Sequence, residues 1–288
     1  MRRAFVLILS CGLLLAAAAA SAQVNEQAIG RPHEWQVWHQ PAPVPLAAQL
    51  FEFHALVFWL MVGICVFVVG LLAYVMFRFS ESRHPVPSRT THHTLIEVVW
   101  TVVPVLILVV IAIPSFRLLY VQDRPPASDD VVNVKIVGHQ WYWEYIFPDH
   151  DDLSFSSYMI PEQEIKPGQM RLMEVDNRLV LPVGREIRIL VTAADVGHAW
   201  SVPAFGLKRD AWPGRIQEQV FRIEQPGLYY GQCYEICGIN HAYMPIAVEA
   251  VPPAEFEAWI RQKREGGGQA SATPPPALPS VQLAAADR

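Results

Sequence analysis

The 288 residues predict a two-helix transmembrane hairpin followed by an all-β sandwich domain. Three observations carry that expectation. Hydrophobic residues make up 52% of the chain and charged residues 17%, too apolar for a disordered or disulfide-stapled chain. The apolar excess sits in three runs within the first 120 residues. Beyond residue 131 the texture changes to short β-type stretches punctuated by glycine and proline, the pattern of a sandwich or barrel.

The first run opens the chain. Arg2 and Arg3 precede an apolar stretch from Ala4 to Ala20, and Ala20-Ser21-Ala22 has the small-x-small form of a signal-peptidase site. Residues 1–22 are therefore expected to be a signal peptide, with an uncleaved anchor helix as the alternative. A lipoprotein at Cys11 fits less well, because the apolar run continues past it. Cleavage would remove Cys11 and two arginines, taking the net charge from −5 to −7. Residues 23–50 then form an exported N-terminal segment.

The second run, Ala55 to Phe77, has no charged residue, and neither has the third, Val98 to Phe116. Crossing the hydrocarbon core takes roughly 20 apolar residues in a helix, so both qualify as spans, expected at 51–79 and 95–120. Pro104 and Pro114 lie inside the third run and are tolerated where neighbouring groups satisfy the freed backbone. The loop between them, 80–94, follows Arg78 and holds Arg83, Arg89 and three histidines against Glu81 alone. Short basic loops stay in the cytoplasm. Two spans then return the chain to the exported side, so everything after about residue 120 lies outside. Glu97 stands at the cytoplasmic mouth of the second span, where a carboxylate marks either a proton or ion route or an interfacial acid in headgroup water.

The exported domain is expected at 128–252. Its strand candidates are VVNVKIVG, WYWEYIF, MRLMEVDN, EIRILVTA, HAWSVPAF, EQVFRIE, GLYYGQC and PIAVEAV. A short helix over 253–264 closes it, and the Gly-, Ala- and Pro-rich stretch 265–288 reads as a disordered tail. There is no CxxCH, so no covalent c-type haem is appended.

The chemistry concentrates in GQCYEICGINHAYMP, residues 231–245. In an oxidising compartment Cys233 and Cys237 could form a disulfide, and with histidine they could hold zinc. Two features favour another use. His241 and Met244 follow within seven residues of Cys237, and thiolate, imidazole and thioether together select copper rather than zinc. A further histidine, His198, lies upstream at the end of a predicted strand, in DVGHAWSVPAF. Two cysteines in place of one suggest two coppers bridged by thiolates.

These segments resemble a known family. IEVVWTVVPVLILVVIAIPS, GHQWYWEY, SYMIPE, MEVDNRLVLPVG, DVGHAWSVPAFGLKRDAWPGR and PGLYYGQCYEICGINHAYMPI are similar to subunit II of bacterial haem-copper (aa3-type) cytochrome c oxidase over roughly residues 35 to 252. The resemblance implies a cupredoxin-like sandwich carrying the dinuclear copper A centre. It implies His198, Cys233, Cys237, His241 and Met244 as side-chain ligands and Glu235 as a carbonyl ligand, with the Glu235 carboxylate on a magnesium ion shared with subunit I. It makes Trp141 the point where cytochrome c delivers its electron, and Glu97 the mouth of a proton path. Asp210 and Arg215 match positions near the subunit I boundary. Tyr142, Trp143, Glu144, Asp149, Asp151, Asp152, Asp176 and Asp195 would form an aromatic and acidic docking surface for a basic cytochrome c.

The implied partners are subunit I and subunit III, cytochrome c and the lipid bilayer, with no nucleic acid. The implied location is the bacterial inner membrane, with the N-terminus and the C-terminal domain in the periplasm. Two other classes compete. A related quinol oxidase subunit would lack the copper ligands, whereas all six positions are filled here. A membrane-anchored copper carrier would show exposed Met- or His-rich tracts, and this sequence has none.

Overall fold

Both long apolar runs become uninterrupted helices. In the computed structural model, which describes residues 29–127 and 130–266, α1 spans Pro45–Arg78 and α2 spans Thr94–Gln122. The expected signal peptide, the start of the N-terminal segment and all but the first two residues of the expected tail lie outside the described residues. Helix α1 begins earlier than its apolar core because Pro45 sits in the first turn, where its missing N–H costs nothing. Helix α2 runs through Pro104 and Pro114 without a break. The two helices pack side by side, and their spanning windows bury nothing inside the protein, as surfaces meant for lipid should.

The remainder is a ten-stranded sandwich. One sheet has the order β3-β2-β1-β5-β8, from Leu153–Ser157, Tyr142–Phe147, Val131–His139, Glu186–Ala193 and Gln217–Arg222. The other has the order β4-β10-β9-β6-β7, from Leu179–Pro182, Pro245–Val251, Gly227–Cys233, His198–Val202 and Leu207–Ala211. β1 pairs with β5 and β4 with β10 in parallel, and all other pairs are antiparallel. Alternating side chains from both sheets meet between them, with Ile136, Tyr145, Ile189, Trp200, Phe205, Tyr229 and Val248 fully buried. Helix α3, Pro253–Glu265, buries Phe256 and Ile260 against this core.

Three strands were not expected, and each has a reason. β3 is broken by serines, β4 is only four residues long, and β7 carries Lys208, Arg209 and Asp210. Conversely, the expected strand MRLMEVDN does not form. Only Val175 makes a bridge, to Met159, while residues 171–173 turn and Leu172 takes φ +63°. The cause is Glu174, which is 1% exposed and turned inward. It receives both arms of Arg178 at 2.9 Å and the Tyr230 hydroxyl at 2.9 Å, so its loop is tied down by charge instead of a ladder. Glu174→Ala should destabilise the sandwich by about 2–3 kcal/mol, because it strips Arg178 of its buried partner. A thermal melt reads the loss, and an unchanged midpoint would show the network to be ornamental.

The sandwich is fastened to the outer ends of the hairpin. Gln219 donates to the Gln122 carbonyl at 2.7 Å, Arg209 to Asp123 at 3.0 Å and Arg124 to Glu186 at 2.8 Å. Ala47 of α1 is fully buried beside Gly206, whose φ of +65° and lack of a Cβ allow the approach. β6 runs from His198 toward this contact, so His198 lies at the end of its strand remote from α1.

Candidate metal centre

Three neighbouring strands converge on one point. β6 opens with His198, β9 ends on Cys233, and Met244 stands just before β10. Register does the rest. β9 and β10 pair Gln232 with Pro245, and β6 and β9 pair Trp200 with Cys233. The segment between β9 and β10 curls back through Gly238, at φ +124°, into a single 3-10 turn at His241–Tyr243. His198, Cys233 and Cys237 are buried, and their donor atoms lie within 4.8 Å of one another.

The Cys233 Sγ lies 3.9 Å from the Cys237 Sγ and 3.9 Å from the His198 Nδ1. Cys237 Sγ is 3.6 Å from His241 Nδ1 and 3.5 Å from Met244 Sδ, while the Glu235 carbonyl accepts from Cys233 at 3.3 Å. Both cysteines are free, far beyond the roughly 2.05 Å of a disulfide. The geometry thus brings together all six residues expected as copper ligands. Two thiols between two imidazoles, with a thioether and a carbonyl at the edges, suit a pair of soft ions better than one hard ion. Burial and the neighbouring Cys233 push the Cys237 thiol up, so metal uptake must expel protons.

Behind this set lies a second layer. Asp195 Oδ1 accepts from His198 Nε2 at 2.9 Å, and its Oδ2 accepts from the Gln140 backbone N–H at 2.7 Å. Burial raises the Asp195 carboxyl, but these bonds and that from Val196 outweigh it and hold the group below its ordinary range. Burial lowers the His198 imidazole, against the pull of Asp195. The Gln140 amide and the Trp141 indole N–H both donate to the Cys237 carbonyl, at 2.8 and 3.3 Å. Gly138 packs on the His198 ring so closely that a Cβ there would come within 2.8 Å of it. Gly138→Ala should displace the ring and cost about 1–3 kcal/mol of overpacking. Metal titration of that variant, with weaker uptake expected, checks this.

The expected docking residues divide. Tyr142 is half-buried between His139 and Tyr158, stacked on each at 4.5 Å, and burial followed by Tyr158 pushes its phenol up to about 12. Glu144 binds His139 at 3.1 Å, and Asp176 accepts from the Tyr158 N–H at 2.8 Å, so both lie on the Trp141 side. Trp143 does not belong to a surface. It is 0% exposed, donates to the Met244 carbonyl at 3.4 Å and packs edge-on to His198, because strand alternation turns it inward. Asp149, Asp151 and Asp152 are also misplaced as neighbours of Trp141. They occupy the turn after the six-residue β2, about 20 Å from its start. There Asp149 caps Asn133, and Asp151 pairs with Arg264.

Glu235 and Asp210 flank Lys208, at 3.9 and 2.8 Å, on the rim of the centre; Arg215 is exposed nearby in chain order. Glu97 reaches back to accept from the His93 N–H at 3.0 Å, and the Thr101 hydroxyl donates to its carbonyl at 2.9 Å. It therefore closes the first turn of α2, beside a cavity of about 280 Å³ lined also by Thr94, Val98 and Val102. Sequence reasoning overlooked Gln140 and Gly138. The signal was present in GHQWYWEY, where a glycine and an amide precede an aromatic run and demand close packing.

A sandwich on a membrane hairpin, with two thiols, two imidazoles and a thioether at one end of a sheet, defines a membrane-anchored protein of cupredoxin-like build. Comparison with known proteins narrows the class. The family model described as "Cytochrome C oxidase subunit II, periplasmic domain" matches residues 132–251, and that described as "Cytochrome C oxidase subunit II, transmembrane domain" matches 32–118. The chain is 48% identical over 234 residues to a probable cytochrome c oxidase subunit 2 of Rickettsia felis, covering 81% of this chain and 74% of that one. It is 45% identical over 231 residues to cytochrome c oxidase subunit 2 of Zea mays, covering 78% and 88%. Among solved structures, the periplasmic domain of subunit II of the Bradyrhizobium japonicum oxidase matches at 45% identity, with a TM-score of 0.45, covering 49% of this chain and 97% of that one. The chain belongs to the cytochrome c oxidase subunit II family.

Proposed function

We propose that this chain relays electrons from cytochrome c to the haem centres of subunit I through a dinuclear copper A centre, with oxygen reduced to water in subunit I. The observation that carries the reading is the pair of free thiols 3.9 Å apart, flanked by His198, His241 and Met244. A copper pair held here would supply one-electron chemistry. The protein's share is to hold the donors still. His198, Cys233, Cys237, His241 and Met244 would bind through side chains and Glu235 through its carbonyl, presented by the ends of β6 and β9 and the segment leading into β10.

Trp141, bonded to the Cys237 carbonyl and partly exposed, is the proposed port for the electron. Glu144, Asp176 and Tyr142 beside it would favour a basic donor and make association salt-sensitive. The Glu235 carboxylate, on the rim with Asp210, is the proposed magnesium ligand at the boundary with subunit I. Glu97 is the proposed mouth of a proton path used in proton translocation. Subunits I and III would complete the complex in the bacterial inner membrane, with the sandwich in the periplasm.

The test is copper content and the electron paramagnetic resonance spectrum of the full chain loaded with copper. Two coppers sharing one unpaired electron, with hyperfine lines too many for one nucleus, are expected. One copper with a four-line pattern would overturn the dinuclear reading. No copper, with Cys233 and Cys237 oxidised to each other, would reduce the site to a disulfide.

A further inference from the structure

We infer that Asp195, one of the acids first grouped with the docking surface, is instead a positioning residue that couples the copper ligand His198 to the Trp141 port. The inference rests on the copper reading above and deepens it. Asp195 lies on the segment between β5 and β6, three residues before His198, with about a third of its side chain exposed. Its two oxygens divide the work. Oδ1 takes His198 Nε2 at 2.9 Å and the Val196 N–H at 2.6 Å, while Oδ2 takes the Gln140 N–H at 2.7 Å.

The first contact selects a tautomer. An ionised carboxylate only accepts, so Nε2 must carry the hydrogen, and the neutral ring is left with its lone pair on Nδ1. Nδ1 is the nitrogen that faces the Cys233 sulfur. The imidazole is therefore oriented for metal before any metal arrives, and a carboxylate behind a ligating histidine raises its donor strength. Among the described residues, no side chain bonds the Nε2 of His241, so this support is given to one of the two imidazoles.

The second contact reaches the port. Gln140 is gripped at its N–H by Asp195, and its side chain grips the Cys237 carbonyl at 2.8 Å, the same oxygen that receives the Trp141 indole. Gly238 closes this side, with the Trp141 ring 3.0 Å from where its Cβ would stand. One carboxylate thus ties the turn that carries Trp141 to the histidine on the opposite sheet. A pure docking charge would need none of these bonds, and its oxygens would face solvent.

The experiment compares Asp195→Ala and Asp195→Asn with the parent chain, full length and copper-loaded, in four readouts: copper affinity, reduction potential, hyperfine pattern, and the salt dependence of the association rate with cytochrome c. Circular dichroism confirms that each variant keeps the sandwich. Asp195→Ala is expected to lose roughly 10- to 100-fold in copper affinity, the usual cost of removing such a partner. In both variants removal of the negative charge should raise the potential, favouring the reduced state by roughly tenfold, or about 59 mV. Asp195→Asn has one accepting oxygen in place of two, so it should keep most of the copper affinity. Unchanged affinity, potential and hyperfine pattern, with only a shallower salt dependence, would overturn the inference and return Asp195 to the docking surface. A parent chain that never forms the copper pair would overturn the copper reading, and this inference with it.

Discussion

Cys233→Ser is expected to give a chain that inserts both spans and folds its sandwich, yet holds no copper pair and supports no oxidase turnover. The change replaces one buried atom, since Cys233 is 3% exposed. The new hydroxyl can donate to the Glu235 carbonyl, which already accepts from the sulfur at 3.3 Å. A satisfied buried hydroxyl costs little, about 1 kcal/mol, so the fold should survive. The chemistry should not. Serine at neutral pH is no soft anionic ligand, so the donor set loses one of its two thiolates. Copper per protein, oxygen consumption with reduced cytochrome c, and protease protection of the spans test the three parts separately. Normal turnover would sink the copper assignment outright.

Trp141→Phe tests the other end of the relay. The indole N–H donates to the Cys237 carbonyl at 3.3 Å, and the ring covers Gly238, so Trp141 bridges the outer surface and the loop that holds the ligands. Phenylalanine lacks both the N–H and the second ring, and leaves that bridge open. Electron delivery from cytochrome c should slow by roughly tenfold or more, equivalent to about 1.4 kcal/mol in the barrier. The copper spectrum should change little, because Trp141 bonds the Cys237 carbonyl and none of the expected donor atoms. Stopped-flow reduction of the copper by cytochrome c reads the rate directly, and an unchanged rate would place the port elsewhere.

The fate of individual residues shows how far the chain was legible. Both spans announced themselves by length and lack of charge, and α1 and α2 exceed the expected limits by only a few residues. The residues expected as copper ligands were legible because five of the six crowd into a dozen positions and the sixth, His198, opens the strand candidate HAWSVPAF. Strands with clean alternation, such as β2 and β5, formed as expected. MRLMEVDN alternates too, yet its inward glutamate found Arg178 and Tyr230 and made a tied loop. Alternation reports which side chains point the same way; it does not report what charge waits on the other side.

The docking acids failed for a similar reason. Asp149, Asp151 and Asp152 lie within eleven residues of Trp141 in the chain, but six of the intervening residues form an extended strand that carries them to the opposite end of the sheet. Asp195 is 54 residues from Trp141 and is its near neighbour, through Gln140. By itself the sequence determined the membrane hairpin, the all-β class and the donor set, because these depend on local composition and on the chemistry of side chains. Only the tertiary structure decided which acid bonds His198 and which faces solvent, how close the two sulfurs come, and that Trp143 is core while Trp141 stays partly exposed. Those are questions of register between strands distant in the chain, settled by packing two sheets face to face.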